Sequence, residues 1–199
     1  MTIRTGTTDT QTEHSQPRAI AGVAVAVSVP ALLAIIGLFA MGFGAISWGG
    51  AILWGVLAAL VMWMFMAMGR AMGMTEMNLL DMLGSIYTQP GTSTSKGIGM
   101  GIHLVTGASL AISWAYTMAL FAWPATWLSG MLWGGFVSLL AILLFSSMGV
   151  LHPKIRSGEQ NDPGLAGMNL GRATPAGVVM AHLVYGLVLG GLYQAAPLV

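Results

Sequence analysis

Apolar residues form five long stretches along the chain, separated by short polar or glycine-rich segments. A helix needs about 20 apolar residues to cross the hydrocarbon core of a bilayer, and each stretch is long enough. The pattern therefore predicts an all-α fold, a polytopic membrane helix bundle with five transmembrane helices. We expect residues 19–199 to form a single membrane domain with spans near 19–43, 46–70, 97–123, 127–150 and 175–197.

The segments outside these stretches differ in character. Residues 1–18 are polar, rich in threonine and without apolar periodicity, which predicts a disordered cytoplasmic tail. The apolar stretch that follows is longer than the h-region of a signal peptide, so we expect a spanning helix there. The "WPAT" turn begins with Trp123 and is followed by Trp127, a placement typical of aromatic residues at a membrane interface.

Basic residues are confined to alternate connections of the five-span pattern. If the chain has five spans, all seven share one side of the membrane: Arg4, Arg18, Arg70, Lys96, Lys154, Arg156 and Arg172. The positive-inside rule then predicts that the N-terminus is inside and the C-terminus outside. We expect a multi-pass protein of the bacterial cytoplasmic (inner) membrane.

The amino-acid composition and the charge disfavour several functional classes. Hydrophobic residues make up 56% of the chain and charged residues only 7%, so the lipid bilayer is the predicted surrounding. The net charge of +1 and the scattered basic residues give no reason to expect nucleic acid as a partner. Cysteine is absent, which excludes disulfides and thiolate chemistry. No carboxylate lies within a predicted span, which disfavours a pump or an ion-coupled transporter.

A five-residue phrase occurs twice, as "HLVTG" at 103–107 and "HLVYG" at 182–186. Positions 0, 4, 7 and 11, counted from each histidine, fall on one helix face at about 100° per residue. One offset of 79 residues pairs His103 with His182, Gly107 with Gly186, Leu110 with Leu189, and Trp114 with Tyr193. Gly186 and Gly190 also form a GxxxG motif, so we expect Gly107, Gly186 and Gly190, with the two aromatic residues, to pack against neighbouring helices.

The repeated phrase opens the third and fifth predicted spans, and a loop with "MNL" precedes each of them. This arrangement predicts an internal parallel repeat of two helical hairpins, with the first span outside it. With "GMTEMNLLDMLGS" at 73–85, the chain resembles uncharacterised small bacterial multi-pass membrane proteins that carry a repeated HLVxG helix. The resemblance covers about residues 46–199 and implies the fold, but no activity.

Two imidazoles at similar depth in neighbouring helices allow three interpretations, one of which is a role in proton transfer. His103 and His182 could bind haem b or a metal, because a neutral imidazole is a good ligand. Alternatively, each ring donates a hydrogen bond to the adjacent hairpin and holds the helices in register. We expect the structural role and no bound cofactor.

Methionine is concentrated between residues 62 and 82. Met64, Met68 and Met72 are spaced four residues apart and could bind or pass Cu(I), since thioethers favour soft cations. Otherwise methionine serves as a flexible gap-filler and an adaptable contact surface.

The segment 75–88 is too short to cross a membrane. As a helix capped by Thr75 it would carry a polar stripe of Asn78, Asp81 and Ser85. Either it lies at the interface, or it is a re-entrant element whose stripe lines a cavity near His103.

No catalytic motif occurs anywhere in the sequence. We therefore expect a non-catalytic accessory or assembly subunit of a larger membrane complex, whose partners are other membrane protein subunits. A haem or metal protein built on the two histidines is an alternative, and a permeation protein for a small solute or Cu(I) is another.

Overall fold

The computed structural model describes residues 9–198, with side chains from residue 17 onward. Over these residues the chain is helical and contains no strand, which confirms the all-α prediction. Seven α-helices follow in order: α1 (Asp9–Met41), α2 (Trp48–Ala71), α3 (Leu79–Gly84), α4 (Ser93–Leu120), α5 (Trp127–Leu151), α6 (Pro153–Arg156) and α7 (Thr174–Ala195). Two 3-10 helices are interspersed, at Phe43–Ala45 and Leu165–Leu170.

Five of these helices are long and apolar enough to cross a bilayer: Pro17–Met41 within α1, and the whole of α2, α4, α5 and α7. The predicted number of spans is therefore confirmed for the described residues. The first helix begins earlier than predicted, at Asp9, so residues 9–18 of the predicted tail belong to α1. Residues 1–8 of that tail lie outside the described residues.

Side-chain caps explain where three of the long helices begin. Ser47 accepts a hydrogen bond from the Gly50 amide at 3.0 Å, and Thr92 accepts one from the Ser95 amide at the same distance. Thr126 and Ser129 form a reciprocal capping box at the start of α5. Hydroxyl groups at these positions satisfy amides that the first helical turn leaves without partners.

The long helices pack in a closed order, in which each helix contacts two others most closely. Going round the bundle, α1 is followed by α4, α2, α7 and α5, which returns to α1. Only 11% of the apolar span of α1 is buried. Where α1 meets the bundle, a Cβ on Gly37 would collide with Tyr116 of α4, and one on Gly22 would stand 2.9 Å from the Ser147 hydroxyl of α5. Small residues thus let α1 lie between α4 and α5.

The connections are divided between two ends of the bundle. We call the end formed by residues 72–92 and 152–173, with the adjoining helix turns, the basic end, because five basic residues lie there: Arg70, Lys96, Lys154, Arg156 and Arg172. Short turns at 42–47 and 121–126 form the other end. At the basic end the two connections contact each other directly, because the Glu76 amide donates to the Leu170 carbonyl at 2.7 Å.

Helix α3 lies against the first turns of α4. A Cβ on Gly84 would collide with the Ser95 carbonyl, and one on Gly99 with the Leu80 carbonyl, so both glycines are required by this close contact. The helix is shorter than the predicted 75–88 segment, and its N-cap is Asn78 rather than Thr75.

Candidate functional site

His103 lies on α4 and is buried against α2. Its Nε2 donates a hydrogen bond to the Ala59 carbonyl at 2.9 Å. Because a carbonyl oxygen only accepts, Nε2 carries the proton and Nδ1 keeps its lone pair. The first copy of the repeated phrase therefore joins the two helices of one hairpin, α2 and α4.

His182 is also buried, but its hydrogen bond stays within α7. Its Nδ1 donates to the Val178 carbonyl, one turn earlier, at 2.8 Å. A Cβ on Gly134 would collide with the His182 carbonyl, so the backbone of α5 approaches α7 very closely at this level. The expectation that each ring bonds to the other hairpin is therefore wrong for the hydrogen bonds that the structure describes. His103 bonds within its hairpin and His182 within its own helix.

The predicted packing glycines lie at two close helix contacts. A Cβ on Gly107 would stand 2.5 Å from the Ala59 Cβ, at the crossing of α4 with α2. At the crossing of α7 with α5, a Cβ on Gly186 would collide with the Gly130 carbonyl, and one on Gly190 with the Thr126 carbonyl. These contacts bring backbone against backbone, which only glycine permits.

Trp114 and Tyr193, the last pair of the repeated stripe, contact each other. Their rings meet edge to face, with centroids 5.2 Å apart and planes at 84°. The Tyr193 hydroxyl also accepts a hydrogen bond from the Ser47 amide at 2.9 Å, which ties α7 to the start of α2. Buried indole N–H groups of Trp114 and Trp133 have no hydrogen-bond partner among the described residues.

Tyr185 supplies the polar contact between hairpins that was expected of the histidines. Its hydroxyl donates to the Gly107 carbonyl of α4 at 2.6 Å. The available signal was the fourth position of the phrase, which is threonine in the first copy and tyrosine in the second. A buried phenol needs a hydrogen-bond partner, and an adjacent helix offers one.

The three methionines of the predicted ladder lie on the surface. Met64, Met68 and Met72 are 62%, 52% and 60% exposed. Met68 and Met72 border an apolar groove of about 300 Å³ between α2 and α7, whereas Met64 does not. The groove is also lined by Met66, Met74 and Met180. Sequence spacing could not have identified Met180, because it belongs to a helix more than 100 residues later.

The polar stripe lies at the basic end, where Asp81 and Ser85 are buried. Asp81 accepts hydrogen bonds from the Gly91 amide at 2.8 Å and from the Gln160 side chain at 3.2 Å. Ser85 donates to Gln160 at 2.8 Å and lies 3.5 Å from His152 Nε2. These contacts place the stripe against the 152–173 connection. The hydrogen bond of His103 goes to Ala59 of α2 and not to the stripe.

His152 also belongs to this cluster, although no sequence pattern indicates a role for it. Its Nε2 donates to the Met82 carbonyl at 2.9 Å, and its buried Nδ1 has no partner among the described residues. The ring lies at the C-terminus of α5 and contacts α3. No sequence signal connects it with Asp81, since about 70 residues separate the two positions.

Apart from the buried Asp81 and the partly exposed Lys154, the charged residues of the basic end are exposed. Lys154 and Glu159 form an ion pair at 3.0 Å. Hydrogen bonds from the Ser157 hydroxyl and from Lys154 hold the pKa of Glu159 below its ordinary value. This is the behaviour of a solvated surface, where an ion pair contributes little to stability.

The described residues contain no group of three or more histidine, aspartate, glutamate or cysteine side chains that could hold a metal ion. The fold is that of a multi-pass α-helical protein whose five long helices are suited to a lipid bilayer. Comparison with protein-family models, with curated proteins and with solved structures finds no match to this chain.

Proposed function

We propose that this chain is a non-catalytic accessory subunit that assembles with other membrane polypeptides in the bacterial cytoplasmic membrane. The observation that carries the proposal is that polar side chains inside the long helices donate hydrogen bonds to the backbone. His103, His182 and Tyr185 donate to backbone carbonyls. The buried hydroxyl groups of Ser113, Thr117, Ser138 and Ser147 do the same within their own helices. These interior polar groups are thus satisfied by backbone carbonyls, and two of them, His103 and Tyr185, also join neighbouring helices.

The proposal includes a duplicated hairpin, α2 with α4 and α5 with α7, because the offset of 79 residues continues beyond the histidine phrase. The offset pairs Ser47 with Thr126. Each of these residues caps a helix whose first residue is a tryptophan. The offset also pairs Gly55 with Gly134, and each of these glycines lies where its helix meets its hairpin partner. The same offset therefore relates residues with the same structural role. The two copies run parallel, and α1 stands outside them.

The proposed orientation is N-terminus inside and C-terminus outside. It is supported by the positions of the described basic residues. Arg18 lies in the first turn of the first span, and the others lie at the basic end. With this orientation the basic end faces the cytoplasm, in accordance with the positive-inside rule. The resemblance to small bacterial membrane proteins with a repeated HLVxG helix is part of the same proposal.

Site-specific photo-crosslinking tests the subunit role. Benzoylphenylalanine placed singly at Phe39, Val105 and Leu132 probes three exposed helix faces, because these side chains are 85%, 67% and 67% exposed. If the chain is a subunit, one face will yield a discrete protein adduct in intact membranes while the others contact only lipid. The same chain in mild detergent will co-purify with that polypeptide. No adduct from any face, together with a stable monomer, would exclude the role.

A second candidate function is ligation of haem or a metal by His103 and His182. One observation favours it. Each ring donates one N–H to a backbone carbonyl and keeps a lone pair on the other nitrogen, as metal-binding histidines do. An absorption spectrum and elemental analysis of the purified protein test this candidate. A Soret band or a stoichiometric metal would support it, and the absence of both would exclude it.

A further inference from the structure

The methionine-lined groove between α2 and α7 opens near the basic end. Its walls come from the last turns of α2 and the first turns of α7, and they present apolar surface throughout. Five thioether side chains line it: Met66, Met68, Met72, Met74 and Met180. Methionine is unbranched and flexible, so such walls can adapt to an irregular apolar chain.

Two glycines keep this groove open. A Cβ on Gly69 of α2, or on Gly177 of α7, would have no atom within 4 Å. They differ in this from Gly107 and Gly186, where a Cβ would meet a neighbouring helix. Gly69 and Gly177 are therefore not needed for helix contact, and their missing side chains leave a space of about 300 Å³.

Two arginines stand at the margin of the groove. Arg70 follows the lining residue Gly69, and Arg172 precedes the lining residue Ala173. The two segments are held together by the hydroxyl contact of Thr75 with Thr174, at 2.7 Å. Because consecutive Cα atoms are about 3.8 Å apart, the Cα atom of each arginine lies at about that distance from the Cα atom of a residue that lines the groove.

The charge at this margin is positive. Both arginines are exposed, and the ion pair found among the described residues joins Lys154 with Glu159 instead. Glu76 is the acidic residue nearby in sequence, which leaves an excess of one positive charge.

We propose that this groove binds one anionic phospholipid, with an acyl chain between α2 and α7 and the phosphate at Arg70 and Arg172. An apolar space that opens toward lipid has no polar groups to hold water, and an acyl chain fills it favourably. Basic residues beside such a space select an anionic headgroup. This site goes beyond the subunit role and does not depend on it.

Native mass spectrometry of the detergent-purified protein tests the site, with phosphatidylglycerol and phosphatidylcholine as probes. We expect one phosphatidylglycerol adduct to form preferentially. Arg70→Gln and Arg172→Gln should each weaken it about fivefold, since one basic residue near an anionic lipid contributes about 1 kcal/mol. Lys96→Gln, an exposed cation at the same end, should leave it unchanged.

Variants that fill the groove provide a second test of the lipid site. Gly177→Leu and Gly69→Leu add a side chain from opposite walls and should both abolish the adduct. Gly97→Leu is the matched control, because Gly97 lies at a similar depth in α4 and its Cβ also has open space. Equal binding of both lipids, or an equal effect of Gly97→Leu and the two groove variants, would overturn the proposal. So would stoichiometric Cu(I) bound at the groove in place of lipid.

Discussion

An imidazole in an apolar helix needs an acceptor for its N–H group, and the choice of acceptor decides what the residue stabilises. His103 reaches the Ala59 carbonyl on another helix, whereas His182 reaches the Val178 carbonyl on its own helix. The same residue in the same phrase thus has two structural roles. Only the first contributes directly to the association of two helices.

Replacing each histidine with leucine tests this difference. His103→Leu should destabilise the bundle by about 0.6 to 2 kcal/mol, the range for interhelical hydrogen bonds in membranes. His182→Leu should cost less, because no helix contact loses a hydrogen bond. Unfolding in mixed micelles measures both values. Gln at position 103 should be tolerated, since its amide can still donate. A larger loss for His182→Leu than for His103→Leu would contradict this assignment.

The glycines of α7 allow a second comparison within one helix. Gly186→Ala places a methyl group against the Gly130 carbonyl and should destabilise the α5–α7 contact by about 1 to 3 kcal/mol, as overpacking does. Gly177→Ala enters open space and should be neutral or stabilising, because alanine favours the helix. The same unfolding measurement compares the two variants. Equal effects would show that the close helix contact at Gly186 is not present.

At the scale of elements, a buried polar cluster joins the two connections of the basic end. Asp81, in α3 of the first connection, accepts a hydrogen bond from Gln160 of the second. Ser85 and His152 extend this contact between α3 and the C-terminus of α5. The cluster is therefore expected to hold the loops to each other, while the glycine contacts hold the long helices.

Asp81→Ala should loosen this end selectively. Removing the carboxylate leaves the Gly91 amide and the Gln160 side chain without their acceptor, at a cost of about 1 to 3 kcal/mol. We expect faster hydrogen exchange in residues 72–92 and 152–173, with the five long helices unaffected. Glu76→Ala is the matched control, because its exposed side chain makes no hydrogen bond among the described residues. Equal exchange in both variants would argue against the cluster.

The whole molecule places its two kinds of connection at opposite ends. Because cysteine is absent, single cysteines can report which end faces outward. Gly44→Cys lies in the turn between α1 and α2 in open space, and Ser157→Cys lies exposed at the basic end. In intact cells an impermeant thiol reagent should label only Gly44→Cys. Permeabilised cells provide the control in which both react. Labelling of Ser157→Cys from outside would reverse the proposed orientation.

The span number and the close contacts were predictable because both follow from local rules. Lipid requires about 20 apolar residues per crossing, so the five stretches could be counted directly. Gly186 and Gly190 mark a helix contact because small residues let backbones meet. The start of α1 at Asp9 was not predictable in this way, since residues 9–18 are polar and have no apolar periodicity. Nor could the spacing of Met64, Met68 and Met72 predict that only the last two border the groove.

Sequence alone therefore determined the class of protein, its five membrane-suited helices and the end at which positive charge collects. These properties depend on how short segments of the chain partition between lipid and water. The residues within each segment decide that partition, so it can be read from the sequence. Tertiary structure alone decided that α1 lies between α4 and α5, that His152 meets Asp81's cluster, and that Met180 closes a groove with α2. Such contacts join residues far apart in the chain, and they depend on which helix faces fit together when the bundle packs.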